Sequence, residues 1–326
     1  MRYHLTFLRA AALLLGTLLT LTAITQITQV TRGAEPLAKK TGRIFFDAES
    51  GFVETTPFVW KGKLLLLGSL HRERIAKKHD EQIALGITDP QTGEILARFG
   101  GGCSFGCAFV DNDTLHVFAS RLPETEDWDR ALDRYWYGDI VHFTTKDLKS
   151  WTETTAIKRD NEHLLNSSVC RDGDGYLMAY ETDNPIGFCF KFARSADLER
   201  WEKVPDSLFA GPDAHTYSAC PVVRRSGDYY YVIYLRQDGR GGFESALIRS
   251  KDLHVWEESP VNPVFAADEG EGINNSDIDL CEVDGKTVFC YAVGNQQGWA
   301  DIREAVYDGT PDQFFAECFP AEEGKE

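Results

Sequence analysis

The amino-acid sequence predicts an all-β fold, a five-bladed β-propeller made of four-stranded antiparallel blades. A seven-residue segment with Ser or Thr first, Asp at +2, Leu at +3 and Trp at +6 begins at Thr145, Ser195 and Ser250. A weaker copy begins at Thr88 and a variant at Tyr307. The five starts are 57, 50, 55 and 57 residues apart, and a period of this size is typical of a repeated supersecondary unit.

Counting strand pairs gives the same number of units. Five apolar strand pairs, each interrupted by a turn rich in Gly, Asn or Asp, occupy residues 57–67, 108–118, 169–180, 221–234 and 279–291. A third strand leads into each repeated turn, and the fourth is expected to begin near the Trp. Four antiparallel strands of about 50 residues, repeated, make propeller blades.

Structural roles account for the repeated turn. Its Asp is expected to accept hydrogen bonds from nearby backbone N–H groups, and its Trp to pack between neighbouring blades. The strand Arg43–Phe46 is expected to close the ring as the outer strand of the last blade.

The N-terminal residues are expected to lie outside the fold. Arg2 and Arg9 flank the start of an apolar stretch over 10–24, the length of a signal-peptide core and short for a membrane span. We therefore expect residues 1–33 to be a signal peptide, residues 34–326 to form one propeller domain, and the protein to be secreted or periplasmic. An uncleaved membrane anchor is the alternative.

Composition excludes some partners. With 51 acidic and 34 basic residues, the net charge is −17, which argues against a nucleic-acid partner. No membrane partner is expected after signal cleavage. Cys107, Cys170, Cys220 and Cys281 fall in apolar runs of different repeats, so they are interpreted as small core residues, with disulfide pairing left open. No cofactor and no metal site is expected.

Three features together resemble a known family: the Ser-x-Asp-Leu-x-x-Trp turn, its repetition in five hairpin units, and the apparent export signal. They are similar to the five-bladed propeller glycosidases of glycoside hydrolase family 43 and its arabinanase- and invertase-like relatives. The segments 274–281, 294–298 and 305–310 also resemble uncharacterised bacterial glycosidase-like proteins. The resemblance implies a general-base Asp on the first inner strand, a second Asp on blade 2 that tunes pKa within the site, and a general-acid Glu on blade 3.

This chain departs from that pattern. Glu54 lies near the position of the first Asp, residues 103–107 carry no carboxylate, and Asn166 opens the third inner strand where the acid is expected. The family's three catalytic residues therefore do not carry over residue by residue.

Other carboxyl groups near the channel mouth are candidates for the chemistry, because glycoside hydrolysis needs two of them across the scissile bond. Glu54 is expected to act as base or nucleophile. Asp277, on the neighbouring blade 5, is expected to pair with it or tune it, and strand alternation puts Asp279 on the same face. Glu181 is expected to be the general acid, with Tyr180 and Pro185 raising its pKa by desolvation.

Further polar residues are expected at the same mouth, because the second strand of each hairpin ends where the first began. The expected substrate-binding residues are His71, Asn166, Asp183, His215, Arg236, Asn275, Asp279, Asn295 and Gln296.

These observations favour an exported glycoside hydrolase that acts on a poly- or oligosaccharide at the mouth of the channel. The missing carboxylates on blades 2 and 3 favour the alternative, a non-catalytic carbohydrate-binding propeller. A protein–protein scaffold is a third class, which predicts a broad apolar patch instead of a polar pocket.

Overall fold

A computed structural model describes residues 36–71, 83–122, 138–213, 216–295 and 299–320. In these residues the chain forms five four-stranded antiparallel sheets, which confirms the predicted five-bladed propeller. The expected signal peptide, 1–33, lies outside the described residues.

Four blades are each formed by four consecutive strands. Blade 1 contains β2 (Phe52–Trp60), β3 (Lys63–His71), β4 (Ile83–Thr88) and β5 (Ile95–Phe99). Blade 2 contains β6 (Cys103–Asp111), β7 (Thr114–Arg121), β8 (Ile140–Thr145) and β9 (Thr152–Ile157). Blade 3 contains β10 (Leu165–Asp172), β11 (Gly175–Thr182), β12 (Cys189–Ser195) and β13 (Glu202–Lys203). Blade 4 contains β14 (Ala219–Ser226), β15 (Tyr229–Gln237), β16 (Phe243–Ser250) and β17 (Glu257–Glu258).

Blade 5 closes the ring with strands from both ends of the described chain. Its strands are β18 (Asn274–Val283), β19 (Lys286–Gly294), β20 (Ala300–Tyr307) and the outer strand β1 (Lys39–Phe46). The expectation that residues 43–46 close the ring is confirmed, because Ile44 pairs with Arg303 and Phe46 with Ile302. A short helix, α1 (Pro311–Glu317), follows β20 and buries Phe314 and Phe315.

The repeated turn has the predicted structural roles. In blade 4, Asp252 accepts hydrogen bonds from the backbone N–H groups of His254 and Val255, both at 2.9 Å. The hydroxyl of Ser250 accepts one from the N–H of Leu253 at 3.0 Å, and Leu253 has a positive φ of 69°. The side chain thus satisfies donors that a bend in the chain leaves free.

The Trp of each repeat packs against the preceding blade, as predicted. Trp151 of blade 2 stacks on Phe99 of blade 1 with ring centroids 3.7 Å apart. Trp256 of blade 4 stacks on Phe192 of blade 3 at 5.5 Å. Buried apolar side chains fill the spaces between sheets, so the core is divided among the blade interfaces.

All eight cysteines are free thiols, six of them buried. None of the helices in the described residues has the length and apolar character needed to span a membrane.

The junction between β1 and blade 5 depends on a buried ion pair. The Nζ of Lys40 lies 2.5 Å from Glu271 and 2.9 Å from Asp268. Glu271 is only 4% exposed and also accepts hydrogen bonds from the hydroxyl of Tyr291 at 3.0 Å and the N–H of Asp268 at 2.9 Å.

Replacing Lys40 with Met should weaken closure, because the buried Glu271 carboxylate loses its ammonium partner at 2.5 Å and keeps the more distant guanidinium of Arg303 at 3.5 Å. We expect the free energy of unfolding in urea to fall by about 2 kcal/mol. Lys286→Met breaks an exposed pair with Asp308 and should have no measurable effect. Equal effects of the two variants would contradict a special role for the closing pair.

Candidate active site

Each inner strand contains the same backbone irregularity near its start. Glu54, Phe105, Asn166, Cys220 and Asp277 have positive φ angles of 49°, 56°, 40°, 49° and 49°. Each residue lies at a break in the register with the second strand of its blade, which is the behaviour of a β-bulge. We call these five residues, one from each blade, the ring positions.

The ring positions converge on one pocket. All five are half-buried, and all five line a depression of about 380 Å³ that includes space open to solvent. The residues that follow them complete the wall: Thr55, Thr56, Gly106, Ser167, Ser168, Pro221, Val222, Ile278 and Asp279. A bulge re-aims a side chain out of the alternating pattern, and here it does so on five strands at one end of the channel.

Asp277 is held as a hydrogen-bond acceptor at the pocket wall. Its Oδ1 accepts from the Sγ of Cys220 at 3.0 Å, and its Oδ2 accepts from the Oγ of Ser276 at 2.6 Å. Burial, and then the charges of Asp277, Glu181 and Glu54, raise the pKa of the Cys220 thiol well above its usual value. The thiol therefore keeps its proton at neutral pH and is a poor nucleophile.

Glu54 occupies the ring position of blade 1, beside Asp277 of blade 5. Its Oε2 is buried and has no hydrogen-bond partner among the described residues. Burial, followed by the charges of Asp277 and Glu181, raises the pKa of Glu54 well above 4.5. A raised pKa favours the protonated form, from which a carboxyl group can donate a proton.

Glu181 lies close to this pair but outside the described pocket wall. Its Oε2 accepts hydrogen bonds from the Nδ2 of Asn166 and the backbone N–H of Cys220, both at 2.8 Å. Burial raises the pKa of Glu181 to about 7, although both hydrogen bonds lower it. Tyr180 belongs to a buried apolar cluster that also contains Phe118 of blade 2, and its expected contribution to the desolvation of Glu181, like that of Pro185, stays a prediction.

The bulge at Asp277 interrupts the strand alternation that was expected to put Asp277 and Asp279 on the same face. Asp279 lines the pocket, but its Oδ1 pairs with the guanidinium of Arg224 at 2.6 Å and accepts from the N–H of Leu280 at 2.7 Å. Asp277 instead accepts a hydrogen bond from the thiol of Cys220. The two aspartates therefore have different surroundings.

Other expected substrate-binding residues have partners of their own. Asp183 pairs with His163 at 2.7 Å, and Arg236 pairs with Glu244 at 3.0 Å. Asn295 accepts a hydrogen bond from the N–H of Trp299 at 3.2 Å. Asn275 is fully buried, 3.5 Å from the hydroxyl of Ser245. None of these four residues is among those that line the described pocket, and their role in substrate binding stays a prediction.

Three further expected residues lie where the structure gives no account of them. His215 and Gln296 fall outside the described residues, and of His71 only the backbone, at the end of β3, is described.

Sequence reasoning did not select Phe105 or Cys220 as site residues, although both are ring positions. The available signal was their place at the start of an inner strand, equivalent to that of Glu54. Within the described ranges, no three His, Cys, Asp or Glu side chains are arranged to hold a metal ion.

No protein-family model and no curated protein matches the sequence, whereas many solved structures match the fold. The catalytic domain of a GH62 α-L-arabinofuranosidase from Coprinopsis cinerea is similar over 83% of this chain and 94% of that chain, with a TM-score of 0.58 and 13% identity. A thermostable family-43 glycoside hydrolase is similar over 82% and 91%, with a TM-score of 0.59 and 11% identity.

A candidate glycosidase from Bacteroides thetaiotaomicron is similar over 85% of this chain and 95% of that chain, with a TM-score of 0.55 and 14% identity. The expected structural similarity to family-43 glycosidases and their relatives is therefore confirmed. At these identities the likeness concerns the fold alone.

The buried Glu181 should make stability depend on pH. Its folded pKa of about 7 lies above the ordinary value of 4.5, so its contribution to stability is complete below about pH 4.5 and is lost as the pH rises through 7. Glu181→Gln removes this loss, and at pH 8 we expect the variant to be more stable than the parent by roughly 1–3 kcal/mol in urea unfolding.

A control of opposite sign is available in the same blade. Burial alone would raise the pKa of Glu162, but hydrogen bonds from Lys191, Lys203 and Thr182 lower it. Glu162→Gln should therefore destabilise the protein at pH 8. Loss of stability in Glu181→Gln at pH 8 would contradict the raised pKa of Glu181.

Proposed function

We propose that this protein is a glycoside hydrolase that acts on a poly- or oligosaccharide at the channel mouth. The observation that carries the proposal is the convergence of two carboxyl groups, Glu54 and Asp277, from adjacent blades on one pocket. The pKa of Glu54 is raised by burial and by the charge of Asp277. Hydrolysis of a glycosidic bond uses such a pair, one protonated and one ionised.

The hydrogen bonds of the two carboxyl groups suggest their roles. Both carboxyl oxygens of Asp277 accept hydrogen bonds, from Ser276 and from Cys220, which hold the side chain at the pocket wall. It would act as base or nucleophile and stabilise the positive charge that develops on the sugar. The unpartnered Oε2 of Glu54 would deliver the proton to the leaving oxygen. In this assignment Glu181 is a positioning residue whose charge keeps the pKa of Glu54 high.

The earlier expectation for Glu54, base or nucleophile, is the reverse of this assignment and stays a prediction. The earlier expectation for Glu181, general acid, also stays a prediction. It requires that the carboxyl group reach the substrate past Asn166, whose Nδ2 donates to it.

A non-catalytic carbohydrate-binding propeller is the second candidate. The ring position of blade 3, where the related enzymes are expected to carry their acid, is Asn166, and that of blade 2 is Phe105. An amide and an aromatic ring can bind a sugar, but neither can donate a proton to the leaving group.

The pair can be tested by neutral isosteric replacement. Glu54→Gln and Asp277→Asn should each lower kcat by about 10²–10⁴-fold, the usual contribution of a general acid or base. The substrate would be the first plant or algal polysaccharide of a panel that the parent hydrolyses, because its sugar leaving group needs protonation. Glu202→Gln, which changes an exposed carboxyl on β13, is the control. Full turnover in both site variants would refute the proposal, and binding without hydrolysis in the parent would favour the second candidate.

The identity of the acid can be tested with leaving groups of different basicity. A poor leaving group needs protonation and an activated nitrophenol does not. If Glu54 is the acid, Glu54→Gln should lose activity only on poor leaving groups. Glu181→Gln should then stay active, with the basic limb of its pH profile shifted to lower pH because a like charge near Glu54 is gone. The reverse pattern would make Glu181 the acid.

We also propose export with removal of the N-terminal segment, on the basis of the apolar stretch 10–24 behind Arg2 and Arg9. In a bacterial host, the mature protein should begin near Ala34 when its N-terminus is sequenced. A Leu14→Arg change, which interrupts the apolar stretch, should keep the precursor in the cytoplasm. An intact N-terminus on membrane-bound parent protein would favour the uncleaved anchor.

A further inference from the structure

Three aromatic side chains from two neighbouring blades form a continuous row, in which Tyr217 and Phe243 are half-buried and Phe188 is exposed. The ring centroids of Phe188 and Tyr217 are 4.5 Å apart, and those of Tyr217 and Phe243 are 5.5 Å apart. Phe188 is 42% exposed, and Ile273, next to Phe243, is 47% exposed. We call Phe188, Tyr217 and Phe243 the aromatic ridge.

The ridge lies at the channel end that carries the pocket. Phe188 precedes β12, Tyr217 precedes β14 and Phe243 begins β16, and these strand ends are where the inner strands begin. Backbone hydrogen bonds tie the ridge to the segments that lead into the ring positions. The N–H of Ser218, two residues before Cys220, donates to Phe188 at 2.8 Å. The N–H of Phe243 donates at 2.9 Å to Ile273, four residues before Asp277.

The site groups also act on Tyr217 electrostatically. Burial, and then the charges of Cys220, Glu181, Asp277 and Glu54, raise the pKa of the Tyr217 hydroxyl. Tyr217, in the middle of the ridge, is therefore close enough to these carboxyl groups for their charges to affect the pKa of its hydroxyl.

Folding alone gives no reason for the exposed end of the ridge. Phe188 has a φ of 59°, a left-handed conformation that is uncommon for a bulky residue. Backbone strain of this kind occurs in the repeated turns, as at Leu253, and also at ligand-binding sites. An exposed apolar side chain beside a polar pocket is typical of a ligand-binding site. An aromatic ring is also the side chain best suited to the apolar C–H face of a sugar.

We propose that the aromatic ridge binds the sugar units that lie next to the unit held in the pocket, so that the ligand is an oligosaccharide chain. The ridge is continuous with the ring positions Cys220 and Asp277, which makes a single chain its natural occupant. The inference rests on the proposed function for the identity of the unit in the pocket, but binding to the ridge is measurable without hydrolysis.

The experiment compares oligosaccharides of increasing length, cut from the polysaccharide that the full-length protein binds in a glycan array. Dissociation constants come from calorimetry with Asp277→Asn, and KM from the active parent. Phe188→Ala and Phe243→Ala should weaken binding of the long oligosaccharides about five-fold or more, as expected for an aromatic anchor. Both variants should leave binding of the monosaccharide glycoside unchanged.

Two controls separate the ridge from general effects. Phe188→Tyr keeps the ring and should bind like the parent, which guards against a loss of folding. Val255→Ala removes another exposed apolar side chain, 73% accessible, from the turn at the opposite channel end, and should have no effect. Equal loss for long and short ligands, no loss for either, or a parent that binds no carbohydrate would overturn the proposal. Length-dependent loss of binding in a protein that hydrolyses nothing would support the ridge and refute the hydrolase.

Discussion

Ring closure by β1 is the constraint on which the rest of the structure depends. Blade 5 would have only three strands without β1, and β1 is separated from its partner β20 by almost the whole propeller. The Lys40–Glu271 pair joins these two distant parts of the chain. Closure also brings blade 1 against blade 5, and only then do Glu54 and Asp277 face the same pocket. The pairing between the most distant parts of the chain is therefore the one that assembles the candidate site.

The electrostatics of the site oppose folding. Glu54, Glu181 and Asp277 bring three carboxyl groups together in a buried region, where each charge is costly. Arg224 offers no simple compensation, because its guanidinium is bonded to Asp279 and to backbone carbonyl groups. Burial and the neighbouring charges raise the pKa values of the Cys220 thiol, Glu54 and Glu181, which favours their protonated forms and lowers this cost. A proton held in this way is what acid catalysis requires.

The sequence contained most of the fold and less of the site, for a physical reason. Blade number, turn roles and the closing strand follow from local patterns: the Asp of each turn bonds to backbone two and three residues away, and hydrophobic alternation marks each strand. Glu54 and Asp277 were also accessible, as acids at the starts of adjacent inner strands. The bulges could not be predicted from the sequence, because they break the alternation of inward and outward side chains on which strand prediction depends. The surroundings of Cys220 and the packing of Phe188 against Tyr217 depend on contacts between blades, which leave no local pattern.

The ring positions have a further consequence for how such a site can change. They share one backbone geometry, so they are five structurally equivalent positions around one cavity. Asn and Asp tolerate a left-handed backbone, whereas Glu54, Phe105 and Cys220 are held in it at a cost of about 1 kcal/mol each. Glycine would relieve the strain at a ring position but would place no side chain in the cavity. Natural or directed evolution can therefore change the side chains of the cavity by substitution at one ring position at a time, while the strands outside the cavity stay the same.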